Sequence, residues 1–395
     1  LMRVTWGLSD PHTYVRSEKV CRAEIRERPP IDLTGVSAYS TVFGTCVTAT
    51  EDNELVVYRV DTESNALNLE IGDEIIGYDG KTWAKNMEQI EAAELPPCGR
   101  VSAVPEAYDY SRQASVLMNS HLFSTLEIKR RKTGEIESID LLDVYDTALP
   151  QAAPTELICP SQMPIEGIDF PQTKLSELES QNAVSWGVLP GTNTGYIYVY
   201  RWLDGDALDF DRAVQDLMET DALIIDQRLN LGGRYILVYF GLPFLFGEDT
   251  KAVDFYVRDS KSDDYTALEF WFSTVVEADP ETVYDKPIAV LIGPDAMSGG
   301  DMFPYVMAKH PKVRLFGKPT AGGFGGIKMS LSPDSYTQDF TVMVTDSVMV
   351  EPTTGQRLGD HINTPDTHVW LTKDDIIAGV DTVVESALEW IAGES

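Results

Sequence analysis

Residues 287–293 read PIAVLIG, and residues 297–303, just beyond them, read MSGGDMF. The apolar run predicts a buried strand, and the second stretch predicts a helix that extends to about Lys309. A serine at such a turn exposes its hydroxyl, while the first free N–H groups of the helix point at whatever the hydroxyl attacks. Ser298 is therefore a candidate nucleophile, with the N–H of Gly299 as an oxyanion donor. An N-capping serine beside a glycine turn has the same signature, and other segments must decide between the two interpretations.

A second segment, LIIDQRLNLGG at residues 223–233, has the pattern of a buried strand that ends in a polar, glycine-rich loop. Ligand sites of open α/β sheets collect beyond the carboxyl ends of such strands. Gly232 and Gly233 are therefore candidates for a second oxyanion N–H. A third segment, LSDPHT at residues 8–13, supplies His12. A lone histidine is more often structural than catalytic, so His12 counts only together with the other two segments.

Together these segments resemble the C-terminal processing (tail-specific) peptidase family, and in particular its tricorn-like branch. GKPTAGG at residues 317–323 is similar to the family's Gly-x-x-Thr-x-Gly loop, and Pro365-Asp366 is similar to its late Pro-Asp pair. The similarities occur in family order along nearly the whole chain. The resemblance implies a layered ClpP/crotonase-like α/β core and a serine peptidase that acts on polypeptides without a cofactor or metal.

Departures from the family pattern decide which mechanism the resemblance implies. Members with a Ser-Lys dyad carry the lysine in the loop that here reads TAGGFGG at residues 320–326, without a lysine. Lys328, just beyond this loop, is only a fallback. The tricorn-like branch instead implies Ser298 as nucleophile and His12 as general base. The glutamate that this branch carries before its Pro-Asp pair is missing, so either Asp360 replaces it or His361 enters the site.

Composition limits the remaining classes of function. The chain has 395 residues, enough for two or three domains. With 63 acidic and 31 basic residues its formal net charge is −32, which repels nucleic acid and anionic membrane surfaces. No apolar run reaches membrane-spanning length. The four cysteines form no close pairs, which argues against a zinc site and leaves disulfides or buried thiols equally open.

Four regions are expected along the chain. Residues 1–33 carry His12 and have the composition of the remnant of an N-terminal segment, without signal-peptide features. Residues 34–149 are expected to form a small β-rich domain, residues 150–185 a proline-rich linker, and residues 186–395 the catalytic core. The alternation of strand and helix signals in the last region predicts a mostly parallel, layered α/β core.

The clearest signal in the β-rich region is LEIGDEIIGYDGK at residues 69–81, two apolar stretches around a Gly-Asp turn and followed by an Asp-Gly turn. It resembles the Gly-Asp segment of PDZ domains, which bind chain ends by adding a strand to a sheet edge. A small β domain that only packs on the core is the alternative.

Two other classes of function are alternatives for the whole protein. A catalytically silent protein that binds peptides or hydrophobic ligands on the same scaffold is the main rival to a peptidase. An α/β-hydrolase esterase is disfavoured because Ser298 lacks the Gly-x-Ser-x-Gly motif. The family resemblance favours a periplasmic or extracellular location, and the oligomeric state is not indicated.

Overall fold

The computed structural model describes most of the two larger predicted regions and short pieces of the N-terminal segment. The described residues are 14–17, 22–23, 31–32, 45–60, 65, 67–92, 102–110, 122–141, 143, 183–279, 281–325, 327–331, 340–345 and 347–394.

A six-stranded sheet forms the centre of the C-terminal region. Its strands, in spatial order, are β10 (Val184–Val188), β11 (Thr194–Val199), β12 (Ala222–Asp226), β15 (Ile288–Ile292), β16 (Val313–Gly317) and β20 (Thr367–His368). Only the β10–β11 pair is antiparallel, and the other four pairs are parallel. The mostly parallel α/β core predicted from the sequence is thus confirmed.

Helices cover both faces of this sheet because its central strands are apolar on both sides. Every residue of β12 and β15 is buried, as expected for strands in the middle of a parallel sheet. The helices discussed below are α1 (Trp83–Ala92), α2 (Asp204–Asp216), α3 (Gly299–Met307), α4 (Lys373–Ala378) and α5 (Thr382–Glu394). Helix α5 packs on one face of the sheet, and α2 and α3 pack on the other.

The pattern of residues 373–391 predicts a single closing helix, and the structure departs from that prediction. Helix α4 stops at Gly379, whose φ of 74° gives a left-handed C-cap. A new helix then starts because the Asp381 carboxylate accepts hydrogen bonds from the N–H groups of Val383 (3.1 Å) and Val384 (3.3 Å). Two short helices therefore replace the single one.

The β-rich region contains an antiparallel sheet on which α1 packs. The Gly-Asp turn predicted from the sequence is present: Gly72 has φ of 91°, and the buried Asp73 accepts hydrogen bonds from Glu70 N and Arg131 N. The PDZ-like identity of this region stays a prediction. Its strands are β4 (Thr45–Ala49), β5 (Leu55–Val60), β6 (Glu74–Tyr78), β7 (Lys81–Thr82), β8 (Thr125–Lys129) and β9 (Ile136–Asp140).

The β-rich region and the central sheet share one continuous apolar core. Val56 and Tyr58 of β5 belong to the same buried cluster as Ile224 of β12 and Trp370, which follows β20. A hydrogen bond reinforces this packing, since the indole N–H of Trp370 donates to Ala49 O at 3.1 Å. The β-rich region is consequently packed against the core.

The described residues also form three smaller antiparallel sheets. One joins β14, β13 and β19, and a second joins β1, β18 and β17, so the N-terminal segment pairs with a late strand of the core. A two-stranded sheet links β2 and β3. The strands are β1 (Tyr14–Ser17), β2 (Arg22–Ala23), β3 (Ile31–Asp32), β13 (Thr250–Arg258), β14 (Leu268–Val276), β17 (Ile327–Leu331), β18 (Phe340–Thr345) and β19 (Ser347–Val350).

The structure describes one of the four cysteines and the apolar stretch 235–246. Cys46 is buried and disulfide-bonded, which decides that cysteine in favour of a disulfide; the other three cysteines lie outside the described residues. The apolar stretch 235–246 forms two short 3-10 helices, Tyr235–Tyr239 and Leu242–Phe244. Ile236 and Phe240 in this stretch are exposed, so it is less buried than its composition predicts. None of the described helices is long and apolar enough to span a bilayer.

Candidate active site

Ser298 occupies a strained turn between β15 and α3. Its φ of 58° and ψ of −112° lie outside the regions that residues with a side chain normally adopt. The turn is secured from both sides: Ser298 N donates to Asp301 Oδ2 at 2.7 Å, and Met297 N donates to Asn230 O at 3.0 Å. Strain of this kind persists only where surrounding contacts hold it, and it is concentrated at functional sites. Such a strained strand-to-helix turn is also how α/β-hydrolases present a nucleophilic serine.

Gly232 lies directly against this turn. A Cβ on Gly232 would lie 2.6 Å from Ser298 Cβ, 2.7 Å from Met297 O and 3.1 Å from Gly299 N. Its φ of 86° is a second reason why a side chain does not fit. The sequence therefore places glycine here because the two loops, one after β12 and one after β15, touch through their backbones. The predicted proximity of the Gly232 loop and Ser298 is present in the structure.

The predicted oxyanion donors differ in their hydrogen bonds. The N–H of Gly232 donates to Asn230 Oδ1 at 2.9 Å, so this N–H is already used within the loop. Gly233 and Gly299, by contrast, donate no hydrogen bond to any residue in the described part of the chain. The sequence could not separate the two neighbouring glycines, because the choice depends on the side-chain amide of Asn230. The N–H groups of Gly299 and Gly233 are thus not engaged with the described residues, and the assignment of the oxyanion donors stays a prediction.

Trp202 connects the two glycine segments. Its backbone N–H donates to Gly232 O at 2.8 Å, and Arg234 N donates to Trp202 O at 2.8 Å. Its indole Cδ1 would lie 2.8 Å from a Cβ on Gly299, and the indole is fully buried against Phe303. Trp202 therefore sets the spacing between Gly233 and Gly299. Nothing in the sequence pattern singled it out.

Asp301 has a larger role than the helix-dipole partner expected for an acidic residue in a first helical turn. Its side chain is fully buried and accepts hydrogen bonds from Ser298 N, from Gly322 N at 2.8 Å and from Gly323 N at 2.8 Å. Burial raises the pKa of this carboxyl to about 6, against the opposing effect of these hydrogen bonds. The serine and aspartate three residues apart form a capping-box-like spacing, a sequence signal for such a contact.

A chain of polar contacts leads from Asp301 to His361. The Asn363 amide nitrogen donates to Asp301 O at 2.8 Å and to Thr320 Oγ1 at 3.0 Å. The Asn363 amide oxygen lies 3.2 Å from His361 Nε2. Desolvation lowers the pKa of His361, whose ring packs against Tyr305 and Phe324. Burial thus favours the neutral form of His361, whose ring contacts Tyr305 of α3, and a role for His361 in the site stays a prediction.

Three of the residues singled out in the sequence have side chains outside the described residues. His12 lies outside them entirely, two positions before β1 begins at Tyr14. For Asp360 and Lys328 only the backbone is described: Asp360 ends the 3-10 helix Leu358–Asp360, and Lys328 lies in β17. The assignments of His12 as base and Asp360 as its partner stay predictions.

Arg228 braces the site from the other face of the sheet. Its fully buried guanidinium bridges Asp226, with Nη2 to Oδ2 at 2.6 Å, and Asp381, with Nη2 to Oδ2 at 2.8 Å. Tyr196 completes the cluster by donating its hydroxyl to Asp226 Oδ2 at 2.7 Å. The cluster joins the end of β12 to the start of α5, so it fixes the base of the Gly232 loop. Within the described residues no group of histidine, cysteine, aspartate and glutamate side chains is arranged to hold a metal ion.

Comparison with known proteins identifies the class and the family. Residues 193–369 match the model of peptidase family S41, and this segment contains the strained Ser298 turn and five of the six strands of the central sheet. The chain is a serine-type peptidase by class. Its segment 193–369 belongs to peptidase family S41, as the sequence motifs predicted. A comparison with curated protein sequences finds no match.

Solved structures agree on the fold. The structure of mature CPAF complexed with lactacystin superposes with a TM-score of 0.63 at 17% identity, over 99% of this chain and 86% of that chain. Mature CPAF gives a TM-score of 0.62 at 17% identity, over 99% and 85% of the two chains. The photosystem II D1 C-terminal processing protease has 15% identity over 96% and 83%, with a TM-score of 0.44. At such identities the two CPAF structures support the fold alone.

Proposed function

We propose that the protein is a serine endopeptidase that cleaves unfolded or C-terminally presented polypeptides, with Ser298 as nucleophile and His12 as general base. The observation that carries this proposal is the strained backbone of Ser298, held between Asp301 and the Gly232 loop at the start of α3. A serine that only capped the helix would need no such conformation, because N-cap residues ordinarily adopt extended backbone angles.

The proposed reaction is acyl transfer in two steps. Ser298 Oγ attacks the scissile carbonyl carbon, and its proton passes to His12, since serine at its free pKa is a poor nucleophile. The N–H groups of Gly299 and Gly233 stabilise the oxyanion of the tetrahedral intermediate. Collapse of the intermediate breaks the C–N bond, and the histidine returns its proton to the leaving amine. Water then hydrolyses the acyl-enzyme by the same sequence of steps.

The pairing of β1 supports His12 as the base. β1 begins at Tyr14, and Tyr14 pairs with Met343 of β18, a strand that also pairs with β17 beside the Phe324 loop. Two residues span at most about 7 Å, and this short reach from Tyr14 supports our proposal that His12 acts near this pair. Thr345 at the end of β18 contacts that loop, because a Cβ on Gly325 would lie 2.5 Å from Thr345 Cγ2. His361 is the competing base, since it is neutral and linked to Asp301 through Asn363.

For the presentation of chain ends we propose the β-rich region. β9 forms one edge of its sheet and is mostly exposed, whereas β4 at the other edge is fully buried. An exposed edge strand offers its N–H and C=O groups to an added peptide strand. A peptide with a free C-terminal carboxylate should therefore be cut faster than its C-terminally amidated counterpart.

Labelling with a fluorophosphonate probe tests the nucleophile. We expect the wild-type protein to be labelled at Ser298 and S298A to be unlabelled and inactive on an unfolded polypeptide. S273A is the matched control, because Ser273 is an exposed serine on β14 that donates to Asp254. An unlabelled wild-type protein that still binds peptides would show a silent binding protein and refute the proposal.

The base is tested by comparing H12A with H361A. A histidine base gives an activity limb that rises with pH near an apparent pKa of about 6 to 7. H12A should lose activity as fully as S298A, and the double variant should lose no more, since both residues act as one unit. A fully active H12A together with an inactive H361A would transfer the role of base to His361.

A further inference from the structure

The Asp301 carboxylate collects three backbone N–H groups from two separate segments of the chain. Oδ2 accepts from Ser298 N at 2.7 Å and from Gly323 N at 2.8 Å, and Oδ1 accepts from Gly322 N at 2.8 Å. An ordinary capping-box residue serves only its own helix. Asp301 therefore joins the Ser298 turn to the loop that follows β16.

The loop, residues 318–323, reaches the serine turn through Asp301 at its centre and through flanking contacts. Ala321 N donates to Ala296 O at 2.8 Å, and Asn363 joins Thr320 to Asp301 O. On its outer side the loop touches the β-rich region, where the Ser102 hydroxyl donates to Ala321 O at 2.8 Å. Among the side chains that contact the loop, the Asp301 carboxylate is the one that accepts hydrogen bonds from the N–H groups of both Gly322 and Gly323.

We propose that Asp301 is a positioning residue whose ionised carboxylate locks the loop 318–323 onto the Ser298 turn, and that the nucleophile is presented correctly only while this lock is closed. The functional half of the inference rests on the proposed peptidase activity. An ionised carboxylate only accepts hydrogen bonds, which suits three converging donors. When Asp301 is protonated, or replaced by asparagine, one of the two polar atoms of its side chain becomes a hydrogen-bond donor. That atom then faces a backbone N–H, which is also a donor, and the hydrogen bond between them is lost.

The electrostatic surroundings make this lock sensitive to protonation. Burial raises the pKa of Asp301 to about 6, against the hydrogen bonds from the Thr320 side chain and the three N–H groups, and among the described residues no cation hydrogen-bonds to this carboxylate. On the loop the charged side chain is Lys318, which pairs with Glu106 at 3.7 Å. On the 361–363 segment the titratable group is His361, which burial keeps neutral. The hydrogen bonds from Gly322 and Gly323 hold the pKa of the closed carboxyl below that of the same buried carboxyl without them, so protonation favours an open loop in which Asp301 is still buried. The lock should therefore open as the pH falls through about 6.

Amide hydrogen exchange tests the lock without relying on catalysis. In S298A, we expect the amides of Gly322 and Gly323 to be protected above about pH 7 and to lose at least tenfold protection below about pH 5. D301N in the same background should lose this protection at every pH. Protection that stays constant between about pH 4.5 and 8 in S298A overturns the inference, and this arm needs no Asp301 variant.

The functional half is tested by fluorophosphonate labelling of D301N against the matched control D206N. Asp206 is also a buried aspartate at the third position of a helix, accepting from Leu203 N at 3.2 Å, but it lies in α2. We expect D301N to label at least tenfold more slowly than wild type and D206N to label at the wild-type rate. Wild-type labelling of D301N overturns the inference while leaving Ser298 as nucleophile. An unlabelled wild type instead refutes the proposed function, and the amide arm still decides whether Asp301 holds the loop.

Discussion

Replacing Gly232 by alanine perturbs the contact between the two active-site loops most directly. The new methyl carbon would lie 2.6 Å from Ser298 Cβ and 2.7 Å from Met297 O, and the latter is a backbone atom that cannot rotate away. Overpacking of this kind costs about 1–3 kcal/mol. A left-handed backbone at an L-residue adds about 1–2 kcal/mol. Together the two effects lower the free energy of unfolding by about 2–5 kcal/mol.

Gly191 provides the matched control. Its φ of 74° is similar to that of Gly232, but a Cβ at Gly191 meets nothing within 4 Å. G191A should therefore cost only the backbone contribution, about 1–2 kcal/mol. The difference between the two variants isolates the contact with the Ser298 turn. Urea denaturation of both proteins measures that difference.

The same pair of variants also separates stability from function. Displacing a nucleophile by as little as about 1 Å can cost about a hundredfold in rate. We expect G232A to label with a fluorophosphonate about a hundredfold more slowly than wild type and G191A to label at the wild-type rate. A G232A protein that is as stable as G191A and labels normally would show that Gly232 does not support Ser298.

Three further outcomes follow from the structure. R228A should lower the free energy of unfolding by about 3–5 kcal/mol, because it removes the buried cation that pairs with the carboxylates of Asp226 and Asp381. Urea denaturation measures this loss, and R212A is the control because Arg212 forms an exposed ion pair. The pKa of Asp301 is about 6 in the folded protein and 3.8 in the unfolded chain, so the folded protein binds more protons between these pH values. The free energy of unfolding should therefore fall by about 3 kcal/mol as the pH rises from about 3.8 to about 6. Urea denaturation over this pH range should show the fall in the wild-type protein and not in D301N. K328A should retain activity within about tenfold of the parent on a peptide substrate, and an inactive but folded K328A would instead favour a Ser-Lys mechanism.

The sequence by itself determined the central fold and the nucleophile candidate. β12 and β15 are apolar runs flanked by turn signals, and such runs can be buried on both faces only in a covered parallel sheet. The order of motifs around Ser298, Gly232 and the 317–323 loop indicated the peptidase family, and the match over residues 193–369 confirms it. These features are local patterns in the chain, so a single sequence contains them.

Tertiary structure alone decided which groups act together at the site. The Asp301 carboxylate accepts hydrogen bonds from N–H groups about twenty positions away in the sequence, and the Asn230 side chain engages the N–H of Gly232. The Arg228 cluster pairs residues 153 positions apart. Hydrogen bonds and ion pairs between distant segments depend on distances that the packing of the sheet sets, and no periodicity in the sequence encodes those distances.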